Sequence, residues 1–218
     1  MYRKTMITLL ASFVLLALSV IAPQTQAGVE VGLSADEDGI RSFHLAIGEH
    51  YGVQEKTVIA VRERKIPEED IPVVFFLAKN AGVTPDVIVK LRVSGNSWMQ
   101  IATQFGLTAE LFYVKFDKDP GPPYGKAWGH FKKHKRADWH KVRLVDADIT
   151  NLVNLKFAVA RHGCTPAEVV KMRAKGDGFV KFHKQTRAEK MKQRKHKAKV
   201  VASTDHQKQK AKPKKKKK

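Results

Sequence analysis

Cysteine is almost missing: the 218 residues hold one, Cys164. A single thiol excludes an internal disulfide, so the fold must stand on its own hydrophobic core. Cys164 reads as a buried thiol at a helix turn, with pairing between chains as the alternative. Alternating apolar and polar runs bounded by hairpin turns are missing too, which argues against β-sheet. No segment after residue 22 is long and apolar enough to span a bilayer. Acidic residues are scarce, 21 Asp or Glu against 41 Lys or Arg, for a formal net charge of +20. The acidic residues that are present fall at helix caps (Asp36, Asp38, Asp146, Asp148) or beside a helix start (Glu68, Glu69, Asp70), where helix N-termini favour anions. There is no nucleophile elbow, no phosphate-cradling glycine loop and no metalloprotease helix signature. The expectation is a non-enzymatic chain that uses no cofactor.

What the sequence does have begins at its start. Arg3 and Lys4 precede an apolar run from Met6 to Ala22, Pro23 breaks it, and Thr25-Gln26-Ala27 supplies small residues at a cleavage position. This is the three-part pattern of a secretory signal. The expected domain order opens with a signal peptide over 1–27 and places the protein in the periplasm or outside the cell after cleavage near Ala27. A retained membrane anchor is the alternative.

The positive charge is partitioned. Residues 181–218 hold 17 Lys or Arg against Glu189 and Asp205, a net +15, and the leader holds +2. The segment between them, 28–180, is close to neutral at +3. The basic tail is rich in Lys, Gln, His and Ala and is expected to be largely disordered: Lys184 to Lys199 reads as a transient helix without an apolar stripe, and the low-complexity stretch from Ala202 onward is expected to stay disordered. Its general capability is salt-sensitive attachment to anionic polymers or head groups.

The body contains a repeat. Gly82 opens GVTPDVIVKLRVSG and Gly163 opens GCTPAEVVKMRAKG, so that Thr84, Pro85, Val89, Lys90, Arg92 and Gly95 meet Thr165, Pro166, Val170, Lys171, Arg173 and Gly176 at an offset of 81. Phe76 meets Phe157. An earlier copy begins at Gly52, where Arg62 meets Arg92, and a weaker one begins at Gly106. Each reads as a helix ended by glycine in the left-handed conformation. A Thr (Thr84, Thr108 or Thr165) then caps the next helix, with Pro85 and Pro166 at its first position. Helices are expected near 38–51, 54–65, 67–80, 85–93, 97–105, 108–116, 147–162 and 166–175. The fold class is all-α: an irregular bundle of about four helical hairpins. The hairpins fill 28–116 and 146–180, and 117–145 is a linker kept irregular by Pro120, Gly121, Pro122, Pro123 and Gly125.

That linker interleaves Tyr124, Trp128 and Trp139 with Lys126, Lys132, Lys133, Lys135 and Arg136. One reading is polyanion binding, with phosphates or sulfates on the cations and rings on the aromatics. The other is that the aromatics fold back to fill the gap between hairpins. His130 and His134, with His140 and Asp138 nearby, have a spacing that can hold a metal, but the surrounding Lys and Arg oppose a cation, so no metal site is expected. Ser97 to Phe116 resembles a DNA-binding helix-turn-helix, with Gly106 as its turn. Its second helix would be dominated by Leu111, Phe112, Tyr113 and Val114, leaving Lys115 alone for base readout. The same stretch faintly resembles a glycan-binding LysM repeat, but that fold needs strands.

Three longer signatures go together: Arg92 to Ala102 (R-x-SGxSW-x-x-IA), Gly121 to His134 (GPPYGKAWGHFKKH), and Asp146 to Arg173 (DADITNLVNLKF…G-x-TPAEVVKMR). With the leader, they resemble a set of small exported bacterial proteins with helical-hairpin repeats and no established activity. The resemblance covers most of 67–180 and implies export and helical architecture, without a function. The expectation is an exported interaction or scaffold protein. Its tail, ending in Lys214, Lys215, Lys216, Lys217 and Lys218, would bind anionic lipid, lipopolysaccharide or nucleic acid, and its body would meet a protein partner. A helix-turn-helix nucleic-acid-binding protein is the alternative.

Overall fold

The computed structural model describes residues 27–210, and side chains within 37–199. The expected leader, except Ala27, and Lys214 to Lys218 lie outside the described residues. The described chain is all-α, without a strand. In order it forms α1 (Ala27–Tyr51), α2 (Glu55–Glu63), α3 (Ile71–Ala81), α4 (Pro85–Val93), α5 (Trp98–Gln104), α6 (Gly125–Lys133), α7 (Asp146–His162), α8 (Pro166–Ala174) and α9 (Phe179–Lys210). Short 3-10 turns lie at Glu68–Asp70, Ala109–Phe112 and Arg136–Lys141.

The glycine punctuation works as the repeat implies. Gly52, Gly82, Gly106 and Gly163 all sit at φ between 64° and 70°, which lets the chain turn without a β-carbon clash. Pro85 and Pro166 start α4 and α8. The expected caps are only partly formed. Thr165 accepts from the Glu168 amide, whereas the hydroxyls of Thr84 and Thr108 accept no capping bond. At Thr84 the backbone carbonyl, bonded to the Val87 amide at 3.1 Å, closes the turn. Ser97 supplies a cap that the repeat did not mark, in a reciprocal box with Gln100.

Two boundaries are corrected. The linker 117–145 is not irregular throughout: the breakers end at Gly125, and α6 follows. Its inward stripe is Tyr124, Ala127 and Phe131, all buried at helical spacing. The tail does not leave the body at 181 as an unstructured chain. Phe179 and His183 are buried, Val180 and Phe182 pack on the core, and the chain continues as α9 to Lys210. Apolar residues at 179, 180 and 182 anchor the first turn of α9, and the strongly polar helix grows from that anchored nucleus.

The repeat is deeper than its signature residues. Arg92 donates to the carbonyl of Asn96 at 3.1 Å and to Asp146 at 2.5 Å, lies 3.7 Å from Asp70, and covers the Trp98 ring at 4.3 Å. Arg173, 81 residues on, donates to the carbonyl of Asp177 at 2.9 Å and to Asn151 at 3.0 Å, lies 3.5 Å from Glu69, and covers the Phe179 ring at 4.7 Å. Asn96, Trp98 and Asp70 are the offset partners of Asp177, Phe179 and Asn151. Each arginine also recruits a carboxylate from the other unit, and that carboxylate accepts the amide after the turn: Trp98 N–H to Asp146 at 2.8 Å, Phe179 N–H to Glu69 at 2.7 Å. The two units therefore lock reciprocally. Thr150 donating to Asp70 (2.6 Å) and Asn154 donating to the Glu69 carbonyl (2.6 Å) add to the same seam.

Candidate anion-binding surface

The cationic residues named from the linker are all exposed and fall on α6 and the turn after it. Arg136 is committed elsewhere. It donates two bonds to Glu110, at 3.0 and 2.8 Å, and lies over Trp139 at 5.6 Å. Lys132 covers the Trp128 ring at 4.5 Å. Lys126, with His130, faces Asp148 closely enough to oppose the rise in carboxyl pKa that burial causes there. Lys133 and Lys135 complete the surface. The run is thus a modest cationic face, held in place by the aromatic stripe beneath it.

The aromatics divide. Tyr124 and Trp139, expected as ligand contacts, are core residues. Tyr124 is 1% exposed, packs against Phe116 with centroids 5.9 Å apart, and has its phenol pKa pushed up by burial. Trp139 joins Tyr113 and Phe131 in an aromatic cluster, and its indole N–H donates to the carbonyls of Phe131 and His134. These rings fill the gap between helices because large apolar surfaces gain most from burial. Trp128 alone is half-exposed.

The stretch read as helix-turn-helix keeps its first helix as α5. The second, expected over 108–116, is one 3-10 turn with Ala109 and Phe112 buried. Half-buried Lys156 donates to the Leu111 carbonyl at 2.7 Å and sits 5.9 Å from the Phe76 ring, so this turn is stitched to α7. His134 ends α6 in extended backbone, which breaks the i, i+4 relation to His130. Among the described residues no group of three or more His, Cys, Asp or Glu is placed to hold a metal ion. Cys164 donates its thiol to the Ala158 carbonyl at 3.3 Å, and burial raises its pKa, which opposes thiolate chemistry.

The larger cationic surface is α9. Every described residue from Arg187 to Lys199 is exposed, with Glu189 the sole acid among seven Lys or Arg. No helix among the described residues is long and apolar enough to cross a membrane. Reading Lys184 to Lys199 as a transient helix without a stripe missed an internal distinction. His183, Arg187, Lys190 and Arg194 recur at i, i+4, i+7 and i+11, which puts them on one face. That face lines a crevice against α1 and the end of α7, together with Arg161 and His162. The spacing was there to be read, but composition masked it. No family model, no curated protein and no solved structure matches the chain.

Proposed function

We propose that the protein is an exported, non-enzymatic helical scaffold whose body is built from about four helix–glycine–helix units and whose C-terminal segment attaches it to anionic surfaces or polymers. The carrying observation is the separation of charge from fold. Seven exposed Lys or Arg with one acid lie between Arg187 and Lys199, and residues 200–218 add eight lysines against Asp205. By contrast, the body cations Arg92, Arg173 and Arg136 are already committed to carboxylates. Lysines close to an anionic bilayer contribute about 1 kcal/mol each, and their contribution to polyanion binding falls steeply with salt. Phospholipid, lipopolysaccharide and extracellular nucleic acid present the required charge. Secretion rests on the leader pattern, and N-terminal sequencing after cell fractionation is its test: a chain beginning near Gly28 outside the cytoplasm is expected.

The attachment is tested by titrating binding to anionic vesicles and to DNA against salt, for the full chain and for a chain lacking residues 184–218. The expected result is a clear loss of affinity and a shallower salt dependence for the shortened chain. Equal binding by both would end this reading.

A further inference from the structure

A helix that packs on a body normally turns its apolar stripe inward. Beyond Phe182, the face of α9 toward α1 carries buried His183 and then, at exposed positions, Arg187, Lys190 and Arg194. Together with Arg161 and His162 from α7, they line a crevice of about 330 Å³ against α1, at the small end of the range for ligand sites. Glu49, paired with Arg161, is the one carboxylate on its wall. Four guanidinium or ammonium groups around one carboxylate leave three positive charges unmatched, and like charges gathered in one crevice repel unless a counter-ion joins them.

The floor of the crevice is a buried imidazole pair. His183 Nδ1 lies 3.0 Å from His162 Nε2, and the residues are 4% and 8% exposed. One ring must donate to the other. When His162 donates, the His183 proton sits on Nε2, and that buried atom has no hydrogen-bond partner. The Ser42 backbone acts on the ring as a weak hydrogen-bond acceptor that favours its protonated form, without meeting Nε2 in full hydrogen-bond geometry. A buried donor met this weakly has capacity for a stronger acceptor. Leu45, Ala46 and Met191 give the same crevice an apolar wall. The corresponding places in the other unit, 81 residues earlier, hold Ala81 and Ala102. The repeat supports its packing there without imidazoles, so the histidine pair is an addition to the unit and not part of its framework.

We propose that this crevice binds a phosphomonoester: a dianionic phosphate held by Arg161, Arg187, Lys190 and Arg194 over the His183 ring, with its carbon moiety against Leu45 and Met191. Guanidinium forks match phosphate oxygens in charge and shape, and a dianion neutralises most of the excess that a carboxylate would leave. The site shares Arg187, Lys190 and Arg194 with the attachment segment, and saturation together with the contrast between Arg187→Gln and Lys192→Gln separates it from diffuse attachment.

The test is to titrate inorganic phosphate, then glycerol phosphate, into the full mature chain in phosphate-free buffer near pH 7, following the histidine ring resonances by NMR and the heat by calorimetry. The His162 and His183 signals are expected to shift together and saturate, with acetate weaker by about tenfold or more. Arg187→Gln, at an exposed position, is expected to weaken binding by about tenfold. Lys192→Gln, which removes the same charge from the opposite face of α9, should change it less than about twofold. Non-saturating shifts, or equal losses in the two variants, would overturn the site. His183→Phe keeps the ring volume and removes the donor, and it should abolish saturable binding in a chain whose circular dichroism is unchanged. Vesicles bearing a phosphomonoester lipid identify the source. Binding that Arg187→Gln loses and Lys192→Gln keeps places the ester in a membrane, and saturation by glycerol phosphate with no such difference on vesicles places it in solution.

Discussion

Arg92 and Arg173 hold the same place in two copies of one unit, but their surroundings carry different charge. Arg92 faces two carboxylates, Asp70 and Asp146, and its ring partner is a tryptophan. Arg173 faces one carboxylate, Glu69, and the neutral Asn151, and its ring partner is a phenylalanine. Its Nε is buried without a partner. Beyond the clasp the copies part further. Ala81 and Ala102 become His162 and His183, and the seven-residue α5 becomes the 32-residue α9. The geometry that locks two helices to a third has been kept, while the chemistry at its outer end has changed. That pattern separates residues that hold the fold from residues that are free to do something else.

Acid should break the comparison most sharply. Burial, then neighbouring charge (the His183 ring, Lys190 and Arg161 on His162; Arg161 and Arg187 on His183), holds both histidines of the pair at about pKa 4, below the ordinary value of about 6.5. The unfolded chain therefore binds protons between roughly pH 6.5 and 4 that the folded chain refuses. Stability is full above that window and is lost as pH falls through it. Urea midpoints at pH 7 and pH 4.5, without phosphate, measure the loss, and His183→Phe should flatten it.

Removing the arginines comes next. Arg92→Met leaves Asp70 and Asp146 without their cation and is expected to cost about 3 kcal/mol. Arg173→Met, with one carboxylate to strand, should cost about 2 kcal/mol. Equal costs would mean that the charge difference between the copies carries no weight. Chemical denaturation of both variants decides it. Smaller again is Gly178→Ala. A β-carbon there would lie 2.8 Å from the Glu69 carboxylate oxygen that accepts the Phe179 amide, so about 1–2 kcal/mol should be lost. The matching position in the other copy, Ser97, already carries a side chain. The smallest effect has the opposite sign. Lys65 stands where Gly95 and Gly176 stand in the later copies, and it is the one non-glycine residue with positive φ, 62°, among those described. Lys65→Gly relieves that strain and should raise stability by about 0.5–1 kcal/mol, readable as a small rise in Tm.

Much of the helical architecture was legible in advance, because glycine ends and proline starts are local signals. α4 runs from Pro85 to Val93 as its pattern predicts, and α7 and α8 fall within a residue of expectation. The repeat pointed to Arg92 and Arg173 but not to their roles, since Asp146 and Glu69 come from across the fold and no spacing announces them. The linker misled because five breakers near its start obscured the Tyr124, Ala127, Phe131 stripe that follows. The crevice histidines were hidden differently. His183 was counted within a lysine-rich block, and only the turn of α9 against α1 and α7 separates inward cations from outward ones.

One feature of α9 bears on how the protein would sit at a boundary. Thirty-two continuous helical residues rise about 48 Å at 1.5 Å each, and the root of that rod is seated by Phe179 and His183. Charge carried on a rod is a spacer with a defined reach, unlike charge on a string. A surface that captures its outer end would hold the folded body at a set stand-off, and tension applied there would be felt first where α9 leaves the crevice at Arg194.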